Sequence, residues 1–382
     1  MIKTLAIETS CDDTSISIVS FDGKIFAVEE LVAYSQIDDH QKYGGVVPEF
    51  ASRLHSEKII AVLQNILREK IEQTDFISVT THPGLPGSLV VGKAVASFLA
   101  KQFNKPLVEV NHIYGHLFSL FLERNVKDIQ LPMVVLTASG GHNDIYLVQS
   151  VECRVQNSCD NLPKPWTINS ELWTQFDSLE WKNFGWFEIA RLGKTLDDAA
   201  GECFDKVSRM LGWPYPGWQR ISEKALKWKA NKDVEFKRIF LSHDWYDFSF
   251  SWMKSQVSFL LKQLSEGWRL KVEGGRYIIP EDLVCDIAYE FQEAVVEVLV
   301  KKLLRAAIQY NVRTIGIAWG VSSNERLREY LNERWNVEML KGEKVEILKD
   351  VQFLRPMKKV YSTDNGAMIG LAGILKFKNT EI

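Results

Sequence analysis

His112 and His116 stand four residues apart in Asn111-His112-Ile113-Tyr114-Gly115-His116, just after the short run Leu107-Val108-Glu109-Val110 and at the start of an apolar helical pattern. On a helix this spacing puts both imidazoles on one face, a turn apart, as two ligands of one transition metal would require. A metalloprotease would need HExxH, whose glutamate is the base for water; position 113 is Ile, so peptide hydrolysis is disfavoured. Two ligands leave the shell half empty. Asp364, in Tyr361-Ser362-Thr363-Asp364-Asn365-Gly366-Ala367, is a candidate third ligand or, alternatively, the N-cap of the Gly/Ala-rich helix that it precedes. Asp12 and Asp13 are adjacent carboxylates in a small polar turn. They could orient a phosphate through a metal, act as acid and base, or satisfy turn amides. Ser139-Gly140-Gly141-His142 offers a hydroxyl, two unhindered amides and a titratable ring within one short segment. That set suits phosphate or carboxylate recognition, although Gly-Gly is also an ordinary turn.

The elements that must position these groups repeat in shape. Leu5-Ala6-Ile7, the turn Glu8 to Thr14 and the alternation Ser15 to Ser20 read as strand, tight turn, strand. Met133 to Leu136, the turn Thr137 to Asp144 and Ile145 to Val148 read the same way. Two hairpins, one opening each half, suggest two similar lobes whose turns point into a shared cleft. Amphipathic helical patterns run from Ser52 to Ile71 and, after the Pro/Gly-rich turn Pro83 to Gly87, from Gly92 to Phe103. Others run through Asp197 to Leu211, Phe250 to Gln263 and Glu281 to Tyr310. A buried strand, Thr314 to Ala318, ends in Trp319-Gly320-Val321-Ser322-Ser323-Asn324 before another helix, a strand-turn-helix order common at nucleotide sites. Residues 151 to about 190 lose periodicity and carry Trp166, Trp173, Trp181 and Trp186, which reads as an irregular insertion.

Composition sets limits on function. The 382 residues carry 46 basic and 49 acidic side chains, a formal net charge of −3. No global basic field points to nucleic acid, so any RNA contact must be a local patch. Cys11, Cys153, Cys159, Cys203 and Cys285 form no CxxC pair, against both a secreted disulfide scaffold and a cysteine-rich zinc module. The N-terminus lacks a signal-type apolar run, and no window reaches a membrane span of about 20 apolar residues. A cytoplasmic protein with no membrane association is expected.

Several segments together resemble the bacterial and mitochondrial type of tRNA N6-adenosine threonylcarbamoyltransferase. They are IETSCDDTS (7–15), YGGVVPEFASRLH (43–55), PGLPGSLVVG (83–92), KPLVEVNHIYGH (105–116), SGGH (139–142), TLDDAAGECFDKVSRMLG (195–212), FSFS (248–251), GVSSN (320–324) and STDNGAMIG (362–370). They come in family order across nearly the whole chain, and their combination is far more specific than any one alone. The resemblance implies an α/β fold of two ribonuclease-H-like, actin-like lobes around a central cleft, here 1–130 and 131–382, with the last helix returning toward the first lobe. It implies transfer of the threonylcarbamoyl group from threonylcarbamoyl-AMP to N6 of the adenosine 3′ of the anticodon, in tRNAs that read A-starting codons. By motif position His112, His116 and Asp364 would hold one divalent ion, iron or zinc. Ala138, Ser139, Gly140, Gly141, His142, Asp205, Asn324 and the position of Trp218 would bind the adenylate, with Asp12 or Asp13 as the general base. A metal-less paralogous subunit of the same fold and a small ATPase are the implied partners, besides tRNA.

Three glycines of the family pattern are tryptophans here: Trp218 in YPGW, Trp252 in FSFSW and Trp319 in WGVSSN. At Trp218 an indole adds bulk where backbone would approach the adenylate. Three changes of one kind, in a chain with 12 tryptophans, lead to the expectation that UGA codons at these positions are read as glycine in the source organism. If the tryptophans are genuine, the adenylate site is weakened or altered, and a non-catalytic scaffold or another nucleotide-dependent enzyme of the same fold becomes the competing reading. The HxxxH pair with STDNGA argues against a kinase. His82 before PGL and Asn143 after SGGH are further departures.

Overall fold

Strand β1 (Ile2–Glu8) turns into β2 (Asp13–Phe21) as an antiparallel hairpin, from Ile2 opposite Phe21 to Glu8 opposite Ser15. Side-chain alternation splits β1 between two cores: Leu5 and Ile7 enter one apolar cluster and Ala6 the other. The computed structural model describes residues 1–151, 179–228, 234–238, 241, 243, 245–267, 270–273, 276–320, 324–340 and 351–379. β3 (Phe26–Ser35) extends the hairpin, while β4 (Phe76–His82) and β5 (Leu107–Asn111) add in parallel, giving the order β3-β2-β1-β4-β5.

The second sheet repeats this plan. It is built from β6 (Met133–Ala138), β7 (Asn143–Ser150), β8 (Trp181–Phe184) and β9 (Phe187–Gly193). A separate pair, β10 (Lys271–Glu273) and β11 (Arg276–Ile278), precedes its last strands, β12 (Thr314–Ala318) and β13 (Gln352–Leu354). The order is β13-β12-β6-β7-β9-β8, with β6, β7 and β9 antiparallel and β12 and β13 parallel. Taking β8 as an added edge strand, both sheets read as a three-stranded meander followed by two parallel strands. The repeated hairpin of the sequence is thus the core of a repeated topology.

Helices fill three layers around the sheets. α1 (Ile37–Gln41), α2 (Pro48–Gln64), α3 (Arg68–Glu72) and α4 (Pro86–Gln102) lie in the first half, and the last three line the outer face of the first sheet. α5 (His112–Phe118) and the final α11 (Gly366–Asn379) pack between the sheets. α6 (Ala200–Met210), α7 (Gly217–Ala225), α8 (Ser251–Glu266), α9 (Glu281–Gln309) and α10 (Glu325–Leu340) cover the far side. α11 lies close on the first sheet because Gly370 leaves room: a Cβ there would stand 2.5 Å from Val19 Cγ2.

Several boundaries differ from the sequence expectation. The pattern Ser52 to Ile71 is two helices, because Asn65 Nδ2 donates to Ala61 O and the chain turns before α3. The periodicity runs on since Ile66 and Ile71 enter the same core as Ile59 and Val62. α4 starts at Pro86 instead of Gly92, proline being suited to a first helical turn. α6 starts at Ala200 instead of Asp197, because the Asp197 carboxylate accepts the Phe250 and Ser251 N–H groups where α8 begins. The end of the expected irregular insertion is an ordered hairpin, β8–β9, turning at Gly185 with φ +64° and burying Phe184 and Phe187. Residues 152–178, with Trp166 and Trp173, lie outside the described residues. Among the described residues no helix is long and apolar enough to cross a membrane.

Candidate metal and nucleotide site

β5 ends at Asn111, whose Oδ1 accepts the N–H groups of Ile113 and Tyr114 at 2.8 and 3.3 Å. This cap starts α5 at His112, so the His112 and His116 rings meet with centroids 4.6 Å apart. The third group comes from the other end of the chain, immediately before α11. There Asn365, not Asp364, caps the helix: Asn365 Oδ1 accepts the Met368 N–H at 3.0 Å. The alternative role for Asp364 is thereby filled by its neighbour. Asp364 Oδ1 lies 2.9 Å from His116 Nε2 and 3.6 Å from His112 Nε2. One ligand atom from each residue falls within 4.8 Å of the others. Donors at about 2.1 Å from a tetrahedral ion stand roughly 3.4 Å apart, so this set of two imidazoles and a carboxylate fits a divalent transition metal.

Supporting groups orient the ligands. His112 Nδ1 faces Glu8 Oε2 at 3.2 Å and Ser10 Oγ at 3.1 Å, leaving Nε2 toward Asp364. Glu8 is fully buried and also accepts from Thr80 Oγ1 and the Ser10 N–H. A carboxylate behind a metal-facing histidine fixes its tautomer and raises its basicity. Burial alone would lower the His112 pKa, but Asp364 and Glu8 outweigh it and raise it. His116 goes the other way, down to about 4, chiefly through burial. Asp364, which burial would push up, is held at about 2 by His112 and His116. The cluster therefore favours an ionised Asp364 facing a neutral His116, while the two carboxylates beside His112 favour its protonated form until a cation takes the proton's place. Glu8 is the main site residue that sequence reasoning passed over; its signal was an acid closing the apolar run Leu5-Ala6-Ile7 at the end of β1.

The second hairpin turn lies beside this cluster. Ser139 Oγ accepts the N–H groups of Gly141 and His142, both at 3.0 Å, and Ser139 O accepts the Gly201 N–H at 3.1 Å. The loop is thus fastened to the N-terminus of α6, where the helix dipole favours an anion. Contact here needs glycine: a Cβ at position 201 would stand 2.6 Å from Ser139 O and 2.8 Å from Gly140 Cα. Gly140 and Gly141 themselves face open space. Ala138, in contrast, is fully buried at the end of β6. Trp319 connects the loop to the triad, with its ring centroid 3.9 Å from that of His116 and 6.4 Å from that of His142.

α6 and α7 form another wall. Asp205 Oδ1 accepts the Gly217 N–H at 2.7 Å, which sets the half-buried Trp218 in the first turn of α7. Burial first, opposed by Gly217 and Arg209, raises Asp205 to about 6. Asn324 is buried; its Oδ1 accepts the Leu327 N–H at 3.1 Å and its Nδ2 reaches Gln292 Oε1 and Ser222 Oγ at 3.3 and 3.5 Å. Ser222 and Gln292 thus join this wall, with no motif to announce them. Asp12 sits in the field of both Asp364 and Asp205, with burial as the first cause of its rise to about 6. Asp13 is pushed well above the usual carboxylate range by burial and then by Asp12. Between the lobes, Gln41 to Gly44 face Asp205, Arg209, Trp213 and Tyr215 across a cavity of about 310 Å³.

The sequence finds counterparts among known proteins. The family model for tRNA N6-adenosine threonylcarbamoyltransferase (TsaD) matches residues 27–166 and 182–371. The chain belongs to this family. The threonylcarbamoyltransferase of Thermosipho africanus is 37% identical over 380 residues, covering 98% of this chain and 94% of its own. That of Mesoplasma florum is 36% identical over 381 residues, covering 99% of each. HypF of T. kodakarensis, at 14% identity and a TM-score of 0.51, shares the fold over 99% of this chain; the chain spans 48% of that protein. The chain is therefore an α/β protein built on two sheets that forms the threonylcarbamoyl modification on adenosine N6 of tRNA.

Proposed function

We propose that the donor is threonylcarbamoyl-AMP, bound in the cleft between the repeated hairpins, and that its acyl group passes to the adenosine 3′ of the anticodon in tRNAs reading A-starting codons. The observation that carries this is the convergence of His112, His116 and Asp364 beside the Ser139–His142 loop, His116 and Asp364 being 248 residues apart in the chain. The open Gly140–Gly141 backbone with the N-terminus of α6 suits close approach of the adenylate phosphate. Ala138 supports that loop from the strand, and Asp205, the backbone at Trp218, and Asn324 form the nucleoside wall.

His112, His116 and Asp364 would hold iron or zinc, which supplies Lewis-acid charge neutralisation at the phosphate or carbamoyl oxygens when bound. The adenine amine is a poor nucleophile, so placing it against the activated mixed anhydride supplies much of the rate. N6 attacks the carbamoyl carbon, the bond to the phosphate oxygen breaks, and AMP leaves. Asp12 takes the amine proton; at about 6 its pKa leaves it ionised at neutral pH. Asp13, pushed up by burial and then by the Asp12 charge, serves as its neutral neighbour. The lobes divide at about residue 130, and α11 belongs by packing with the first, where Gly366 N–H donates to Ser15 Oγ at 3.0 Å. A metal-less paralogue and a small ATPase complete the assembly in the cytoplasm.

Reconstitution with the adenylate-forming synthase, these partners, threonine, bicarbonate, ATP and tRNA tests the reading by mass analysis of nucleosides. Threonylcarbamoyladenosine is expected. Its absence, with a homologue active in parallel, would overturn the assignment and favour the scaffold reading.

A further inference from the structure

The cavity of about 310 Å³ between the lobes is lined by Lys42, Tyr43, Asp205, Arg209 and Tyr215 among others, of which the adenylate reading uses Asp205 alone. Its half-buried lining is acidic. Asp205 belongs to it, and the half-buried Tyr215 phenol is raised by burial and then by the charges of Asp12 and Asp205. The Asp12 turn is tied to the same place: Asp12 O accepts the Gln36 N–H at 2.9 Å, and α1, five residues or about 8 Å long, leads from there to Lys42. The exposed lining is cationic and aromatic. Lys42 and Arg209 are exposed, and among the described residues neither is ion-paired with an acid, whereas Lys206 is spent on Asp198 and Glu202. The Arg209 guanidinium donates to Gly44 O, pinning the segment that carries Lys42 and Tyr43 to α6 and leaving its other N–H groups for an anion. Tyr43 is 54% exposed; it meets Phe50 only edge-on, at 69° and 5.6 Å, and Lys42 Nζ stands 5.1 Å from its centroid. Among the described residues no ring stacks on it.

We propose that this cavity receives the acceptor adenosine base first, its ring stacked on Tyr43 and its flanking phosphates held by Lys42 and Arg209. The inference rests on the reading above, in which the acceptor is the adenosine beside the anticodon and Asp12 takes its proton. Nucleotides of single-stranded loops are gripped in this way, by aromatic rings under the base and cations on the backbone. The charge order of the cavity is that of its guest: acids for the purine amine, cations at the exposed side for the phosphates. Its volume lies at the small end of ligand pockets, about 300–1,000 Å³, which suits one nucleoside and not a run of stacked bases. The adenylate wall comes wholly from the second lobe, whereas Lys42 and Tyr43 come from the first, so donor and acceptor meet at Asp205. The cavity is also the local basic patch that a chain with a net charge of −3 needs for RNA.

The test uses the full chain in the reconstituted assembly and two fluorescent anticodon stem-loop RNAs, one with adenosine 3′ of the anticodon and one abasic there. A non-hydrolysable adenylate analogue probes the donor side. Wild type should prefer the adenosine RNA. Tyr43→Ala, a change at an exposed ring that leaves the core intact, should weaken binding of that RNA roughly five- to hundredfold, the range of one base–aromatic stack, and cost nothing on the abasic RNA. Tyr43→Phe should restore the preference. Lys42→Gln should weaken both RNAs alike and lower the slope of log affinity against log salt by about one. The analogue should bind all three variants as it binds wild type. Equal effects of Tyr43→Ala on the two RNAs, or a loss of analogue binding in place of RNA binding, would overturn the acceptor subsite and leave the acceptor itself in place. A wild type with no preference between the two RNAs would overturn the reading of the acceptor, and the subsite with it.

Discussion

Asp205 offers a test in which stability and function move in opposite directions. Its carboxyl rises from 3.8 to about 6 on folding, first through burial, with the Gly217 N–H and Arg209 as partial compensation. A pKa raised in an acid means that the ionised form is disfavoured in the folded state. The penalty is fully present above about pH 6, fades as pH falls from there toward 3.8, and is gone below 3.8, where both states are protonated. That difference corresponds to about 3 kcal/mol at most, and to about 1–2 kcal/mol once partial solvent access is allowed for. Asp205→Asn keeps an oxygen for the Gly217 N–H at 2.7 Å and removes the buried charge. It should therefore be more stable than wild type by about 1–2 kcal/mol at pH 8, with the gap closing by pH 4. Denaturant melts at both pH values measure this directly. The same variant should bind an adenylate analogue more weakly, since the wall loses its charged acceptor. A pH-independent gap, or a variant less stable at pH 8, would refute the electrostatic reasoning.

Other substitutions probe the neighbouring parts. Gly201→Ala puts a Cβ 2.6 Å from Ser139 O, so the loop must shift; about 1–3 kcal/mol of destabilisation and a severalfold loss of analogue affinity are expected, by thermal melt and titration. Glu8→Gln removes the charge behind His112 Nδ1 and should weaken metal binding about 10- to 100-fold by competition with a chelator. Peptide masses from the source organism decide whether residues 218, 252 and 319 are glycine. Glycine is expected at all three, and tryptophan at each would end the recoding idea; the left-handed backbone singles out 319, whereas 218 and 252 are helical.

The repeated hairpins were legible because strand periodicity and oxygen- or glycine-rich turns are local signals, and both sheets grew from them. The histidine pair was legible for the same reason, since four-residue spacing is a property of one helix. Asp364 could be placed only as one of two alternatives: nothing local says that Asn365 rather than Asp364 takes up the capping role. Glu8, Gln292 and Ser222 escaped because their roles arise from contacts across the chain, and a buried carboxylate at a strand end looks in sequence like any turn acid. The helix break at Asn65 was hidden by a core that both α2 and α3 face, so apolar spacing alone did not mark it. Trp319 is the opposite case: a glycine-like position by pattern, whose consequence became visible only when its ring was found against His116.

The most direct measurement is metal content by elemental mass spectrometry, on the wild-type chain and on His116→Ala and Asp364→Ala, each checked by thermal melting to be folded. Wild type should carry one iron or zinc per chain and each variant less than about a tenth of that, because either loss leaves too few ligands to close the shell. Full occupancy in both folded variants, or none in wild type under metal-replete conditions, would contradict a metal centre built from His112, His116 and Asp364.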